Sequence, residues 1–310
     1  MCPCPCCYWH KEKDKKGVQK SRSNLITLTL LYSFHLSSFT KPTPPPSNHP
    51  ISSHDKQTIK KMVNSVPTLY ILNRNYSTWS LRAWLVMRYF KLNFNLELLI
   101  LGTPEIPDMG IPAADALMSR AGPTSKVPAL HVEKPSGGHH IVFETLAIVE
   151  YLAEDYPEIW PTDRYDRALA RSLAAEMATS FFGIRKYNMN IRGRYAFDPE
   201  LYTADTIKQL ARISSIWEDL RSKQVGKEGD KGYLFGRFTA IDAMYTPVVF
   251  RLKTYSLRDK IQGQHAQAYI QRLLDTEEVK EWVELSKKEK EVIPADEMPG
   301  YEGKQLTNVE

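Results

Sequence analysis

The feature that most constrains the fold of this chain is a change of hydrophobic periodicity near residue 163. Between residues 66 and 156, strand-like runs alternate with helix-like runs, beginning with the strand pattern of Thr68–Leu72 and the helix pattern of Trp79–Phe90. From Asp163 onward the strand signals disappear, and the apolar pattern is helical throughout. The sequence therefore predicts an α/β half followed by an all-α half.

The first half has the order strand, helix, strand, short helix, two strands and helix. Its later elements are predicted at Phe94–Ile100, Ala113–Met118, Val127–Val132, His140–Phe143 and Thr145–Tyr151. A βαβ unit with an appended hairpin and helix is typical of a thioredoxin-like domain. We predict such an α/β domain over residues 66–156.

The second half is predicted to be an all-helical domain over residues 163–295, followed by a flexible tail over residues 296–310. Its helices are predicted at Tyr165–Phe182, Asp205–Gln224, Ile241–Tyr255, Ala266–Thr276 and Val279–Lys288. The tail is polar and contains proline and glycine, so it does not continue the helical pattern.

Residues 1–65 differ in composition from the rest. They hold ten of the chain's 41 Lys/Arg residues and three of its 36 Asp/Glu residues. The remaining residues therefore hold 31 basic and 33 acidic side chains. The folded part is therefore nearly neutral, and neither a nucleic-acid surface nor a membrane partner is expected, since the apolar run Leu25–Leu36 is too short to span a bilayer. We interpret residues 1–65 as a disordered or targeting segment: either dispensable, with Met62 as the more natural initiator, or a targeting sequence.

The four cysteines lie at Cys2, Cys4, Cys6 and Cys7. This excludes a disulfide within the folded halves and a cysteine nucleophile there. The cysteine tract is either unstructured or a short metal-binding segment. The pair His139-His140 has no neighbouring ligand cluster, and we predict no metal site.

Four short motifs follow one another in the folded part. They are the loop and helix start Asn73–Arg82, the proline-containing strand Lys126–Leu130, the helix start Phe143–Thr145 and the segment Gly236–Tyr245. Together with the two predicted halves, they resemble a cytosolic glutathione transferase over about residues 66–295. The serine in the first loop is most similar to the zeta-like and related bacterial and fungal branch.

The resemblance implies that Ser77 is catalytic. A hydroxyl at the start of the helix Trp79–Phe90 can donate a hydrogen bond to a bound thiolate, and the helix N-terminus adds a positive field that lowers a thiol's pKa. Ser77 could instead simply cap the helix. Tyr76 and Ser80 are the alternative hydroxyl donors, and Tyr76 is also assigned to glutathione binding.

The resemblance also implies a peptide clamp. Val127-Pro128 resembles the family's cis-proline turn, which exposes the backbone N–H and C=O of the preceding residue to the cysteinyl backbone of glutathione. Lys126 directly precedes it. Glu144 is expected to meet the ligand's ammonium group, and Thr145 its γ-glutamyl carboxylate at a helix start.

Two further motifs lie in the helical half. Thr239 and Asp242 have the spacing of an N-terminal capping box, to which we assign a folding role. Arg185, Asn190 and Arg192 follow the first long helix, and by resemblance they face the pocket for the electrophile, where cations would suit an acidic substrate. The alternative is a solvated helix end.

The resemblance thus implies a glutathione transferase, which takes glutathione as co-substrate and activates its thiol for attack on an electrophilic small molecule. A glutathione-dependent cis-trans isomerase, similar to maleylacetoacetate isomerase, is the close alternative. A noncatalytic binding protein on the same fold is the alternative from another class. By resemblance we also expect a homodimer located in the cytoplasm.

Overall fold

The computed structural model describes residues 66–107, 110–200 and 202–298. These residues all fall within one compact unit. The predictions made for residues 1–65 lie outside the described residues, as does the part of the predicted tail beyond Met298.

A four-stranded mixed sheet forms the centre of the first half. Its strands are β1 (Thr68–Leu72), β2 (Asn95–Leu99), β3 (Ala129–Glu133) and β4 (His139–Phe143). The spatial order is β2-β1-β3-β4, with β1 and β2 parallel and the other neighbours antiparallel. Alternate residues of β1 are buried, as its period of two predicted.

Three helices pack with this sheet, and their bounds are close to the predicted ones. They are α1 (Thr78–Tyr89), α2 (Gly110–Arg120) and α3 (Thr145–Asp155). Helix α2 is longer than the predicted Ala113–Met118. With the sheet, these helices confirm the thioredoxin-like α/β class of this half.

From Arg164 the described residues form no further strand of the sheet, and the structure is helical as predicted. The helices are α4 (Arg164–Thr179), α5 (Phe182–Arg185), α6 (Ala204–Ser222), α7 (Ala240–Thr254), α8 (Gln264–Leu274) and α9 (Glu277–Lys287). The four-residue α5 was not predicted, because its pattern is too short for periodicity to reveal. No helix in the described part of the chain is both long and apolar enough to cross a membrane.

One hydrophobic core joins the two halves. Leu69 of β1 and Leu85 of α1 belong to the same buried cluster as Trp217 of α6 and Trp282 of α9. The ring of Trp84 lies 5.0 Å from that of Trp282. Because α1 contacts both the sheet and the helices, its N-terminus is held from two sides.

The predicted capping box is confirmed at the start of α7. The carboxylate of Asp242 accepts the backbone N–H of Thr239 at 2.8 Å and its hydroxyl at 3.2 Å. Asp242 is fully buried, and its other oxygen accepts the N–H of Leu234 and the hydroxyl of Tyr269. This side chain therefore anchors a central helix to two neighbouring elements.

The described residues at the start of the predicted flexible tail contact the rest of the fold. Glu297 is buried, and its carboxylate accepts hydrogen bonds from Tyr76, Asn190 and Tyr195. Composition alone suggested a solvated tail, but one buried acceptor with three donors is sufficient to hold this stretch against the fold.

Candidate functional site

The sheet register brings three predicted segments to one edge. Ala129 of β3 pairs with Tyr70 of β1 on one side and with Phe143 of β4 on the other. The residues just before β3 therefore lie beside the end of β1 and the end of β4. Those neighbours are Val127-Pro128, the loop that leads to Ser77, and Glu144-Thr145.

Ser77 is the N-cap of α1. Its backbone is extended (φ −81°, ψ 96°), and its Oγ accepts the N–H of Ser80 at 3.4 Å. The hydroxyl donates to the Oγ of Ser80 at 2.7 Å, and the side chain is half-buried. The capping role is therefore present, and it leaves the Ser77 oxygen at the start of a helix, where the dipole favours a negative charge.

Ser80 supports this turn from inside the protein. It is buried, and its Oγ accepts the N–H of Leu72, the last residue of β1, at 3.1 Å. The same oxygen accepts the Ser77 hydroxyl. Ser80 thus connects the end of β1 to the first turn of α1, and it is the less accessible of the two serines.

Tyr76 is directed to a different set of partners. Its ring is buried, and its hydroxyl donates to Glu297 and accepts from Arg192 at 3.3 Å and from the N–H of Ile293 at 3.4 Å. Burial, together with the bond to Glu297, raises the pKa of Tyr76 to about 12. Because the Tyr76 hydroxyl donates its one proton to Glu297, it has none left to donate to a thiolate.

Tyr76→Phe is therefore expected to lower stability without changing the chemistry at Ser77. The variant leaves buried Glu297 with one donor fewer, which corresponds to about 1–3 kcal/mol. Urea unfolding measures this loss, and an ultraviolet thiolate titration of bound glutathione should stay at the wild-type midpoint. A shifted midpoint would transfer the hydroxyl role from Ser77 to Tyr76.

The proline turn before β3 has the predicted geometry. The Val127–Pro128 peptide bond is cis. Pro128 is buried, Val127 is half-buried and Lys126 is exposed. Among the described residues, no backbone hydrogen bond occupies the N–H or C=O of Val127, so both groups are available at the sheet edge.

The third segment begins α3 next to this turn. Glu144 is exposed and adopts a positive φ of 67°, a region that non-glycine residues occupy at a cost of about 1–3 kcal/mol. Thr145 is buried, and its hydroxyl donates to the carbonyl oxygen of Trp79 at 3.3 Å. Because Trp79 lies two residues after Ser77, this bond ties the start of α3 to the start of α1.

The loop before Ser77 is held by a residue that the sequence did not reveal. Glu289 is buried, and its carboxylate accepts the backbone N–H groups of Arg74 (3.0 Å) and Asn75 (3.3 Å). The Arg74 guanidinium also contacts it at 3.2 Å, and Trp282 donates to the Arg74 carbonyl at 3.0 Å. Burial raises the pKa of the Glu289 carboxyl above its ordinary value. No local sequence signal could have identified this contact, since more than 200 residues separate the partners.

Two residues predicted to face the electrophile are also part of this support. Asn190 is buried. Its side-chain amide accepts a hydrogen bond from Asn75 and donates one to Glu297. Arg192 donates to the carbonyl oxygens of Glu289 and Glu291. Their polar groups are hydrogen-bonded within the protein, and their assignment to the pocket for the electrophile stays a prediction.

The third residue assigned to the electrophile, Arg185, lies beside the Trp79 ring. Its side chain is half-buried, and its guanidinium carbon lies 5.4 Å from the centre of the Trp79 ring. Its Nη1 donates to the carbonyl oxygens of Ala178 and Ser180. Of the three residues assigned to the electrophile, Arg185 is the one whose guanidinium lies over the Trp79 ring, whereas Asn190 and Arg192 contact Asn75 and Tyr76.

No group of three or more histidine, cysteine or acidic side chains is arranged to hold a metal ion in the described ranges. The predicted pair His139-His140 lies on β4. His139 approaches Glu133 at 3.5 Å, and both side chains are largely exposed.

Sequence comparison identifies related proteins for part of the chain. Residues 76–155 match the family model described as the N-terminal domain of glutathione S-transferase. A stretch of 114 residues is 29% identical to maleylacetoacetate isomerase of Dictyostelium discoideum. That match covers 36% of this chain and 47% of the relative, so the chain spans about half the length of the curated protein it matches.

Structural comparison covers more of the chain. A structure of Ure2p in complex with glutathione matches with a TM-score of 0.53 at 14% identity, over 75% of this chain and 98% of that one. A glutathione transferase of Burkholderia graminis with two bound glutathione molecules per subunit matches with a TM-score of 0.51 at 15% identity, over 77% and 92% of the two chains. At these identities the similarity is one of fold, and it includes both the sheet and the helical half.

Proposed function

We propose that this chain is a member of the cytosolic glutathione transferase family, that it binds glutathione where the start of β3 lies between the ends of β1 and β4, and that it presents the ligand's thiolate to an electrophilic small molecule. The observation that carries the proposal is the convergence of Ser77, Val127 and Thr145. The register of β3 with both neighbouring strands places these segments together, and the bond from Thr145 to Trp79 joins two of them.

The peptide backbone of glutathione would pair with Val127. Its N–H and C=O form a donor and an acceptor at the end of the sheet, just before the interior strand β3, and an extended peptide backbone can form antiparallel hydrogen bonds with such a pair of groups. The exposed Lys126 supplies a cation for a carboxylate of the same ligand. These contacts involve the backbone and a carboxylate of the ligand, and they do not involve its thiol.

The γ-glutamyl end would bind at the start of α3. The first N–H groups of this helix have no acceptor within it, and the helix N-terminus favours an anion such as the α-carboxylate. The Thr145 hydroxyl, which donates to the Trp79 carbonyl oxygen in the unliganded structure, would turn its one proton to this carboxylate when the ligand binds, and the Glu144 carboxylate can accept from the ammonium group. The unusual φ of Glu144 is consistent with a side chain held for this purpose.

The thiol of the ligand would meet Ser77. When a thiolate is present, the Ser77 hydroxyl can turn from Ser80 toward the sulfur while Ser80 donates to the Ser77 oxygen in its place. A hydrogen bond to the charged form, together with the positive end of α1, lowers the thiol's pKa. The ligand thus becomes a nucleophile near neutral pH.

An isomerase is the second candidate, and the relative named maleylacetoacetate isomerase favours it. In that reaction the thiolate adds to the double bond of a cis-enediacid, the resulting single bond rotates, and the thiolate leaves again. Both candidates need the same thiolate, and they differ in whether the sulfur is retained in the product.

The proposal is tested with the purified full chain. Calorimetry measures glutathione binding, and a panel of an aryl halide, a peroxide and maleylacetone separates transferase, peroxidase and isomerase activity. Absence of glutathione binding would instead support a noncatalytic protein on this fold. Sedimentation tests the accompanying proposal of a homodimer, and cell fractionation tests a cytoplasmic location.

Thr145→Val is expected to weaken glutathione binding about tenfold or more. A hydrogen bond to a charged carboxylate contributes roughly 1.5–3 kcal/mol, and about 1.4 kcal/mol is a factor of ten in affinity. Calorimetry on the wild type and the variant measures the change. Thr145→Ser keeps the hydroxyl and should bind nearly as the wild type does. If valine and serine variants bind equally well, Thr145 does not hold the ligand.

A further inference from the structure

The loop that leads to Ser77 makes only part of its hydrogen bonds within itself. The backbone N–H of Ser77 donates to the carbonyl oxygen of Asn73 at 3.0 Å, which closes the end of the loop locally. The N–H groups of Arg74 and Asn75 donate instead to the carboxylate of Glu289, which lies 215 positions after Arg74 in the chain. The start of the loop is therefore held by a side chain from the other end of the protein.

Glu289 uses both carboxylate oxygens on this loop. Its Oε1 accepts the backbone N–H of Arg74 at 3.0 Å and the Nη1 of Arg74 at 3.2 Å, and its Oε2 accepts the N–H of Asn75 at 3.3 Å. Glu289 is 8% exposed, so water has little access to replace these acceptors. Two successive N–H groups directed at one anion fix the peptide units that carry them.

The backbone around Glu289 is held against the same loop by Arg192. The guanidinium of Arg192 donates to the carbonyl oxygens of Glu289 and Glu291. The backbone N–H of Arg192 donates to the Oδ1 of Asn75 at 2.9 Å. Glu289 is therefore a fixed support for the loop, because its own backbone is tied to a residue that contacts that loop.

We propose that Glu289 is a positioning residue for thiolate formation: it fixes the peptide groups before Ser77, so that the Ser77 hydroxyl is directed at the sulfur of bound glutathione. In this role Glu289 acts through the backbone of the loop. Because a hydrogen bond weakens steeply when its angle falls below about 120°, a small displacement of Ser77 is sufficient to weaken its bond to the sulfur. This inference rests on the proposed function and adds to its site a residue from the far end of the chain.

Positioning by Glu289 and the charge of Glu289 have opposite effects on the thiol of glutathione. A negative charge disfavours a second anion nearby, so its removal alone would lower the thiol pKa of the bound ligand. Displacement of Ser77 would raise that pKa, because the thiolate loses a hydrogen bond. The direction of the shift in a neutral variant therefore distinguishes positioning from electrostatics.

Glu289→Gln is expected to raise the thiol pKa of bound glutathione by about one and to lower turnover at neutral pH about tenfold. Glutamine has one oxygen where the carboxylate has two, and its amino group would face a backbone donor. Glutathione affinity should change much less, because Val127 and Thr145 hold other parts of the ligand. An ultraviolet thiolate titration, turnover against pH and calorimetry on the full chain measure these three quantities.

Glu291→Gln is the matched control. It removes the same charge two residues away, where the carboxylate accepts the N–H of the neighbouring Lys290. Its thiol pKa should stay at the wild-type value or fall slightly below it. Should Glu289→Gln not fold, Glu289→Asp is measured in its place: it keeps the charge but is one methylene shorter, so it should also raise the thiol pKa.

A double variant tests whether Glu289 acts through Ser77. In the Ser77→Ala background, Glu289→Gln should no longer raise the thiol pKa, because the hydroxyl that it positions is absent. An undiminished rise in that background would overturn the proposal.

Two further results contradict the positioning role and leave the proposed function intact. One is a thiol pKa that is unchanged or lowered in a folded Glu289 variant, and the other is an equal rise in Glu289→Gln and Glu291→Gln. A wild-type chain that does not bind glutathione contradicts the proposed function and this inference with it.

Discussion

Ser77→Ala is expected to lower turnover at neutral pH roughly tenfold to a hundredfold. A hydrogen bond from the Ser77 hydroxyl stabilises the thiolate by about 1.5–3 kcal/mol. Its loss should therefore raise the thiol pKa of bound glutathione by about one to two. Glutathione affinity should change far less, because Val127 and Thr145 hold other parts of the ligand. Turnover and an ultraviolet thiolate titration against pH measure both effects.

The control variants make this result specific to Ser77. Ser77→Ala also removes the N-cap of α1, so a stability loss of about 1 kcal/mol is expected beside the change in rate. Ser80→Ala should lower stability more, since it leaves the buried N–H of Leu72 without its acceptor. If Ser77→Ala keeps its rate and thiolate pKa while Ser80→Ala loses both, the hydroxyl role belongs to Ser80.

Asp242→Ala is expected to cause the largest loss of stability, about 3 kcal/mol or more. The buried carboxylate accepts four hydrogen bonds, from two groups of Thr239 and one each of Leu234 and Tyr269. Each buried donor left without an acceptor costs about 1–3 kcal/mol. Urea unfolding measures the change, and Asp259→Ala, at an exposed acid, should stay within about 0.5 kcal/mol of the wild type. A loss of similar size in both variants would refute the anchoring role.

The free energy of unfolding is also expected to depend on pH through the carboxyl group of Asp242. Burial raises the pKa of Asp242 to about 6 from its ordinary value of 3.8. A raised carboxyl pKa in the folded state stabilises the fold below about pH 4, and this contribution is lost as the pH rises through about 6. Asp242→Asn cannot titrate, so its stability deficit relative to the wild type should be larger at pH 4.5 than at pH 7. A deficit independent of pH would contradict the shift.

Local sequence patterns were sufficient for the elements and for part of the site. The period of two over Thr68–Leu72 and the helical period after Ser77 depend on neighbouring residues, and both elements formed where the patterns predicted them. The capping box of Thr239 and Asp242 spans four residues, so its geometry follows from the helix itself. The cis bond before Pro128 was expected from the family resemblance, because a Val-Pro dipeptide does not by itself show which isomer forms.

Only the tertiary structure decided which polar side chains serve the site and which support it. Tyr76, Asn190 and Arg192 carry suitable chemistry, but Glu289 and Glu297 engage them from the far end of the chain. Arg185 reaches the Trp79 ring because the helical half packs on α1. Contacts between residues that are far apart in the sequence leave no periodic or capping signal, since they arise from packing of completed elements. The sequence by itself therefore determined the elements and the candidate hydroxyl, and packing determined the surroundings of that hydroxyl.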